Sequence, residues 1–322
     1  MPFIKHINKK AKNETETGLS TVSSLVGGRL LNRDGTPNIQ VKGMRFFERL
    51  NVYHALLSMS IWKFLLIIVL FFITINILFA GIYLGIGLDH LGGIETTTAA
   101  EKFGEAFFFS AQTFTTVGYG RISPIGFMAS FVASLEALFG LLSFAIATGL
   151  MYGRFARPKA YIQYSKNALF VPFKDGVALM VRLVPYTKNY LVNVEARFTI
   201  SLKIMEDGVM KNRFFSAALD ISKASTLMSN WTLVHPIQQD SPLYGLTKAD
   251  IATAETELLV FLEGFDESFS STVVSRTSYT YHEFIYGAKF VPMYHPSEDG
   301  STTILYLDKL NAYEPAPLPV SM

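Results

Sequence analysis

The pattern of the chain changes near residue 157. Before that point apolar residues run in long unbroken stretches. After it they come in short runs separated by turns. From Ile61 to Leu88 the sequence is almost continuously apolar, long enough to cross about 30 Å of hydrocarbon as a helix. Trp62 and Lys63 stand at its start, where an aromatic anchor and a snorkelling ammonium belong. A second stretch runs from about Phe127 to Tyr152, with Glu136 as its only acid and no base before Arg154. Between the two, the apolar segment Phe103 to Thr115 is too short to span. Non-helical backbone at membrane depth must be buried in protein or line a cavity, so this segment is predicted to be a re-entrant half-helix.

The half-helix leads directly into Thr115-Thr116-Val117-Gly118-Tyr119-Gly120. Glycines at 118 and 120 permit backbone angles that residues with a Cβ resist, and such angles are what aligned carbonyls require. A column of carbonyl oxygens replaces the water shell of a dehydrated K⁺, and the Thr116 hydroxyl can add a ring at its inner end. The run therefore carries the signature of a potassium selectivity filter; the competing reading is a hairpin turn that happens to spell the same letters. One unit of helix, half-helix, filter and helix cannot enclose a pore, so four chains are implied.

Upstream, residues 1–35 read as a mostly disordered polar tail, and Asn38 to Val41 fit a short strand. From about Met44 to Ser58, Phe46, Phe47, Leu50, Tyr53 and Leu57 recur at helical spacing with Arg45, Glu48 and Arg49 opposite, the pattern of a helix lying in the membrane interface. After Pro158, β-rich runs occupy 178–184, 191–202, 231–234, 257–262 and 271–281, with turns at Lys174-Asp175-Gly176 and Glu206-Asp207-Gly208. The predicted fold has two transmembrane helices with a re-entrant pore helix and filter, followed by an immunoglobulin-like β-sandwich. Its divisions are a tail (1–35), a strand and interfacial helix (36–60), a pore domain (61–157), a cytoplasmic sandwich (158–313) and a C-terminal tail (314–322).

Composition and charge sharpen this. A net charge of +2 suggests no nucleic-acid surface, and the absence of cysteine excludes disulfides, thiolate metal sites and cysteine nucleophiles. Met1 to Gly35 is polar and lacks the apolar region of a signal peptide. Arg45, Arg49 and Lys63 precede the first span and Arg154, Arg157 and Lys159 follow the second, while the loop between carries Asp89, Glu95, Glu101 and Glu105. Both termini are therefore expected to be cytoplasmic, in an inner membrane. The same six bases suit anionic headgroups, phosphoinositides included, at about 1 kcal/mol each near a charged leaflet; setting topology alone would also account for them. The six histidines are scattered, and no glycine-rich nucleotide loop, paired catalytic acids or metal-spaced ligands appear. The reading is not an enzyme and needs no cofactor, with K⁺ as permeant ion. No arginine ladder precedes the pore, which argues against a voltage sensor.

From about residue 40 to 310 the chain resembles the inward-rectifier potassium channel family, most closely its prokaryotic branch. The resemblance rests on the filter, on Gly149-Leu-Met-Tyr-Gly-Arg-Phe-Ala-Arg-Pro158, on Trp231-Thr-Leu-Val-His-Pro-Ile with Ser241-Pro-Leu-Tyr244, and on Leu262-Glu-Gly-Phe265 with Arg276-Thr-Ser-Tyr279. It implies that Phe46 to Ser58 is a slide helix and that the inner helix flexes at Gly140. Phe144, Thr148 and Tyr152 recur every four residues and so share a helix face; the resemblance puts that face on the pore, with Tyr152 near the gate. It makes Gly264 to Ser271 the apex of a cytoplasmic pore, with Phe265, Ser268 and Phe269 as a second constriction. It also makes Glu195 and Glu263 pore-facing acids that concentrate cations and admit polyamines.

The implied function is passive, K⁺-selective conduction through a lipid-sensitive homotetramer, gated at the inner helix bundle and the cytoplasmic domain. The alternative is the pore subunit of a potassium uptake system, whose chains carry several filter repeats against the single TTVGYG here. Two departures are visible. Phe144 stands where strong rectifiers carry an acid, so block by polyamine or Mg²⁺ is expected to be weak. Gln112 stands where many members have glutamate; Glu136 is a candidate to support the filter instead, with Arg121 as its candidate partner.

Overall fold

A computed structural model describes residues 8, 10–14, 29–43, 51–95, 98–187, 190–206 and 209–319. The chain divides into two compact units, Lys42–Arg157 and the chain up to Val41 together with everything from Pro158 onwards.

The first unit is helical. α1 (Val52–Ser58) starts at Asn51, whose side chain accepts from the His54 N–H at 3.1 Å. The remaining slide-helix positions, including Arg45, Phe46, Phe47, Arg49 and Leu50, lie outside the described residues. α2 (Ile61–Ile86) and α4 (Phe127–Phe155) are long and apolar enough to cross a membrane. α2 stops at Gly87, whose φ of 108° costs a glycine nothing. α3 (Ala99–Phe114) begins upstream of the predicted half-helix because the Thr98 side chain caps the Glu101 N–H. Capping, not hydrophobicity, sets that end. Strands β1 (Leu91–Gly92) and β2 (Ser123–Pro124) pair antiparallel at the two ends of the segment that holds α3 and the filter. Phe79, Ala80 and Tyr83 of α2, Ala106 and Phe109 of α3, and Ala133 of α4 form one buried cluster that binds the three helices together.

Among the described residues the second unit is mostly strand, with one short α-helix and two 3-10 turns at Tyr281–Glu283 and Leu307–Asn311. The strands of its two main sheets are β3 (Ile162–Tyr164), β4 (Ala168–Phe173), β5 (Gly176–Pro185), β6 (Leu191–Glu206), β7 (Val209–Ala217), β8 (Lys223–Leu227), β9 (Trp231–Pro236), β10 (Glu257–Asp266), β11 (Ser271–Thr280) and β12 (Phe284–Tyr286), with α5 (Lys248–Thr253) before β10. One sheet runs β11-β10-β6-β7 with β8 on β6; the other runs β12-β4-β5-β3 with β9 on β5. Phe170, Leu179 and Val181 from one sheet and Phe198, Ile200 and Leu258 from the other share a single core, as a sandwich requires.

Three expectations about the ends change. Residues 29–35, read as part of a disordered tail, are fixed to the sandwich. Leu30 and Leu31 are buried, and their N–H groups donate to the Glu257 carboxylate at 2.7 and 3.3 Å. Arg29 and Arg33 both pair with Glu283, at 2.8 and 2.5 Å. Further upstream, Glu14 N donates to Phe214 O at 2.8 Å and Ser216 N to Lys12 O at 3.0 Å, extending the sheet at its β7 edge. The polar composition of the tail concealed two leucines and two arginines whose acidic partners lie far away in sequence. Asn38 to Val41, expected as a strand, pairs with no strand among the described residues, and Ile39 and Val41 are exposed. At the other end, Tyr313–Pro315 pairs with Ala288–Phe290, so the tail expected from 314 begins inside a strand.

Candidate functional site: the filter and its scaffold

Thr116, Gly118 and Gly120 lie in the left-handed region, with φ of 58°, 52° and 81°, while Val117 and Tyr119 between them do not. This alternation turns successive peptide planes the same way. The carbonyls then line one side of the chain instead of alternating as in a strand. The glycines adopt it freely; Thr116 is β-branched, for which a positive φ is a strained outlier. Strain of this kind gathers at functional sites, held there by the surrounding structure.

The surrounding structure is visible. Thr116 N donates to Thr113 O at 3.0 Å, and the Val117 and Gly118 N–H groups converge on Gln112 O at 2.9 and 3.4 Å. The last carbonyls of α3, which no helix can satisfy internally, thus hold the donors of the filter strand. Among the described residues, the carbonyls of Thr116 to Gly120 accept none of the backbone hydrogen bonds made outside helices and strands. Gln112 contributes through its main-chain carbonyl. The negative end of the α3 dipole also lies at the filter base, where it favours a cation.

Behind the filter, α4 passes α3 closely at Gly140. A Cβ there would collide with the Phe114 carbonyl, so packing requires glycine. α4 continues unbroken through this position. Glu136, one turn earlier, is fully buried. The Tyr83 hydroxyl donates to its Oε2 at 2.6 Å, and its Oε1 meets the Ser110 hydroxyl. Ser110 also lies 2.8 Å from Asn76 Oδ1, and Asn76 Nδ2 donates to Phe72 O at 2.6 Å. Arg121, the expected partner of Glu136, pairs with Glu105 instead. The exposed guanidinium finds an acid near solvent, while the buried carboxyl is met by hydroxyls that cost less to desolvate. Asn76, Tyr83 and Ser110 were not singled out in the sequence. The available signal was the presence of isolated polar residues inside apolar runs. Below the filter, a cavity of about 770 Å³ is bordered by Phe72, Phe114, Thr116, Ser143 and Phe144.

Residues 162–319 match the family model of the inward rectifier potassium channel C-terminal domain, and residues 64–156 match an ion channel model. The chain is 34% identical over 274 residues to the inward rectifier potassium channel Kirbac3.1 of Paramagnetospirillum magnetotacticum, covering 84% of this chain and 91% of that one. The chain belongs to the inward rectifier potassium channel family. It is also 30% identical over 256 residues to the ATP-sensitive inward rectifier potassium channel 12 of Gallus gallus and to its namesake in Bos taurus, covering 72% of this chain and 59% of each relative. It is thus a membrane potassium channel and not an enzyme, with K⁺ as its permeant ion.

The other positions named for this inward rectifier fall as follows. Phe144, Thr148 and Tyr152 are exposed along one face of α4. Glu195 and Glu263 sit directly opposite each other on β6 and β10. They do not stand as free charges: Arg197 lies 3.9 Å from Glu195 and 3.5 Å from Glu263, and Lys223 lies 3.3 Å from Glu195. Two acids facing across strands would repel, and the two bases offset them.

The apex expected from Gly264 to Ser271 is shorter. Gly264 and Phe265 remain in β10, paired with Val273 and Thr272, and the turn comprises residues 267–270. Gly264 packs against Leu191 and Val194, while Phe265, Ser268 and Phe269 are exposed. The buried Asp266 accepts from the Ser268 and Phe269 N–H groups at 2.9 and 3.3 Å and so shapes that turn.

Among the basic residues proposed for lipid, Lys63, Arg157 and Lys159 are exposed. Arg154 is committed elsewhere: its guanidinium donates to Leu56 O and, at 2.5 Å, to Met59 O, and it stacks on Phe64. Arg45 and Arg49 lie outside the described residues.

Proposed function

We propose that four copies of the chain enclose one K⁺ pore, each contributing a quarter of every carbonyl ring. The observation that carries this reading is the alternation of left-handed backbone at Thr116, Gly118 and Gly120, with the neighbouring N–H groups tied to α3. The exposure of the filter residues in one subunit and the exposed face bearing Phe144, Thr148 and Tyr152 support assembly around a common axis. Tyr152 forms the inner gate by steric closure and dewetting. Gly264, Phe265, Ser268 and Phe269 narrow the cytoplasmic path.

The channel lies in the inner membrane with both termini cytoplasmic. Anionic headgroups, phosphoinositides included, bind Lys63, Arg157 and Lys159 together with Arg45 and Arg49. Arg154 serves instead to hold α1. Rectification is weak: Phe144 offers no charge to Mg²⁺ or a polyamine, and Glu195 and Glu263 are offset by Arg197 and Lys223. The single filter per chain favours this channel over a potassium uptake subunit.

Reconstitution in liposomes tests the proposal. The expected result is Ba²⁺-sensitive K⁺ flux that excludes Na⁺, with a change on adding anionic phosphoinositide. Flux that does not distinguish K⁺ from Na⁺ overturns the proposed filter, and a flux indifferent to anionic lipid overturns the lipid assignment.

A further inference from the structure

Glu136, Tyr83, Ser110 and Asn76 join three helices, and all four are buried. Their hydrogen bonds can be followed proton by proton. The fixed point is the Phe72 carbonyl, an acceptor only, 2.6 Å from the Asn76 amide. The amide must turn its NH₂ to that carbonyl, which leaves Asn76 Oδ1 facing Ser110. Ser110 has one hydroxyl proton, and Oδ1 requires it. The contact between Ser110 Oγ and Glu136 Oε1 then needs a proton from the acid itself. Tyr83 donates to the other carboxyl oxygen at 2.6 Å. With the acid protonated, each contact along Glu136, Ser110, Asn76 and Phe72 joins one donor to one acceptor. With it ionised, Ser110 serves the carboxylate and Asn76 Oδ1 is left facing a lone pair. No cation pairs with Glu136 among the described residues, and the groups that meet its carboxyl are neutral hydroxyls. An isolated carboxylate there is costly.

We propose that Glu136 is a neutral hydrogen-bond donor and a positioning residue for the filter, fixing α3 against α2 and α4 through Ser110. The link to ion selection is short. Ser110 lies two residues before Gln112, whose carbonyl holds two filter N–H groups. The packing of Gly140 against Phe114 locks the same end of α3. The inference rests on the proposed filter reading.

The test replaces Glu136 in the full-length channel, reconstituted with K⁺ as the probe ion. Glu136→Gln keeps a neutral donor and acceptor and should preserve K⁺ selectivity over Na⁺. Glu136→Ala should lower it about tenfold, the equivalent of one buried hydrogen bond. Infrared difference spectra of the wild type should show a protonated carboxylic acid band that Glu136→Gln removes. If Glu136→Ala does not assemble, Ser110→Ala and the infrared band still decide. The proposal is overturned if the glutamine variant is as impaired as the alanine one, if the alanine variants are as selective as wild type, or if no such band exists. A wild type that does not discriminate K⁺ fails differently, because it removes the filter reading itself.

Discussion

The Arg154 guanidinium lies 2.5 Å from the main-chain oxygen of Met59 and also donates to Leu56 O, so the last turn of α4 holds the C-terminus of α1. Helix C-termini leave carbonyls unsatisfied, and a cation there satisfies them while complementing the helix dipole. The short helix α1 and the long helix α4 therefore share one fastening. Arg154→Ala should destabilise this unit by about 1.5–3 kcal/mol, the range for hydrogen bonds to a charged group. It should also weaken the response of flux to lipid. Arg154→Lys should recover only part of the loss, because an ammonium lacks the planar fork. Thermal melts of the purified channel beside liposome flux check both.

Gly140 and Gly149 lie on the same helix but should respond in opposite ways. A Cβ at Gly140 meets the Phe114 carbonyl, whereas one at Gly149 meets nothing within 4 Å. Gly140→Ala should cost about 1–3 kcal/mol by overpacking and reduce K⁺ flux. Gly149→Ala should be neutral or stabilise by up to about 1 kcal/mol through helix propensity. Equal effects of the two in melts and flux would show that contact with α3 is not what requires glycine.

The N-terminal segment should loosen when its clasp is cut. Burial pushes the Glu283 carboxyl up, but the Thr280 N–H, Arg33 and Arg29 outweigh it and hold the group below the usual glutamate range. Its stabilisation is therefore present above the ordinary glutamate pKa and lost as pH falls through the lowered value. Glu283→Gln should raise hydrogen exchange of residues 29–37 about tenfold at neutral pH, and low pH should do the same to the wild type. Unchanged protection would remove Glu283 from the clasp.

His235 should make the sandwich acid-sensitive. Its Nδ1 meets Ala218 O at 2.7 Å and its Nε2 meets the Ser241 hydroxyl at 2.8 Å, so the neutral ring donates once and accepts once. Burial lowers its pKa, opposed by the Ala218 carbonyl and Asp240. The unfolded ring titrates near about 6.5. Stability is thus full above that value and falls as the unfolded state takes up a proton below it, until the folded pKa is reached. Melts from about pH 7.5 to 5.5 should slope downward in the wild type, and less so in His235→Gln.

Much of this was legible in the sequence. Continuous apolar runs gave α2 and α4 within a few residues, because spanning lipid needs length and little else. The left-handed backbone at 118 and 120 was legible for a different reason: glycine reports directly on backbone angle. The WTLVHP and SPLY runs were recognisable, yet only the fold shows that His235 and Ser241 bond to each other. The partner of Glu136 was not readable, since hydroxyls on two other helices carry no charge to advertise them. Nor was the clasp at Glu257 and Glu283, because its residues are more than two hundred positions apart. Spacing along a chain reports local periodicity; it does not report which distant groups meet.

The central claim is that the strand from Thr116 to Gly120 selects K⁺. The most direct measurement is the reversal potential of the purified channel in a planar bilayer with K⁺ on one side and Na⁺ on the other. A potential close to that of a K⁺-selective membrane, with current abolished by Ba²⁺, is the predicted result. A reversal potential near zero, with Na⁺ carrying comparable current, would contradict the account.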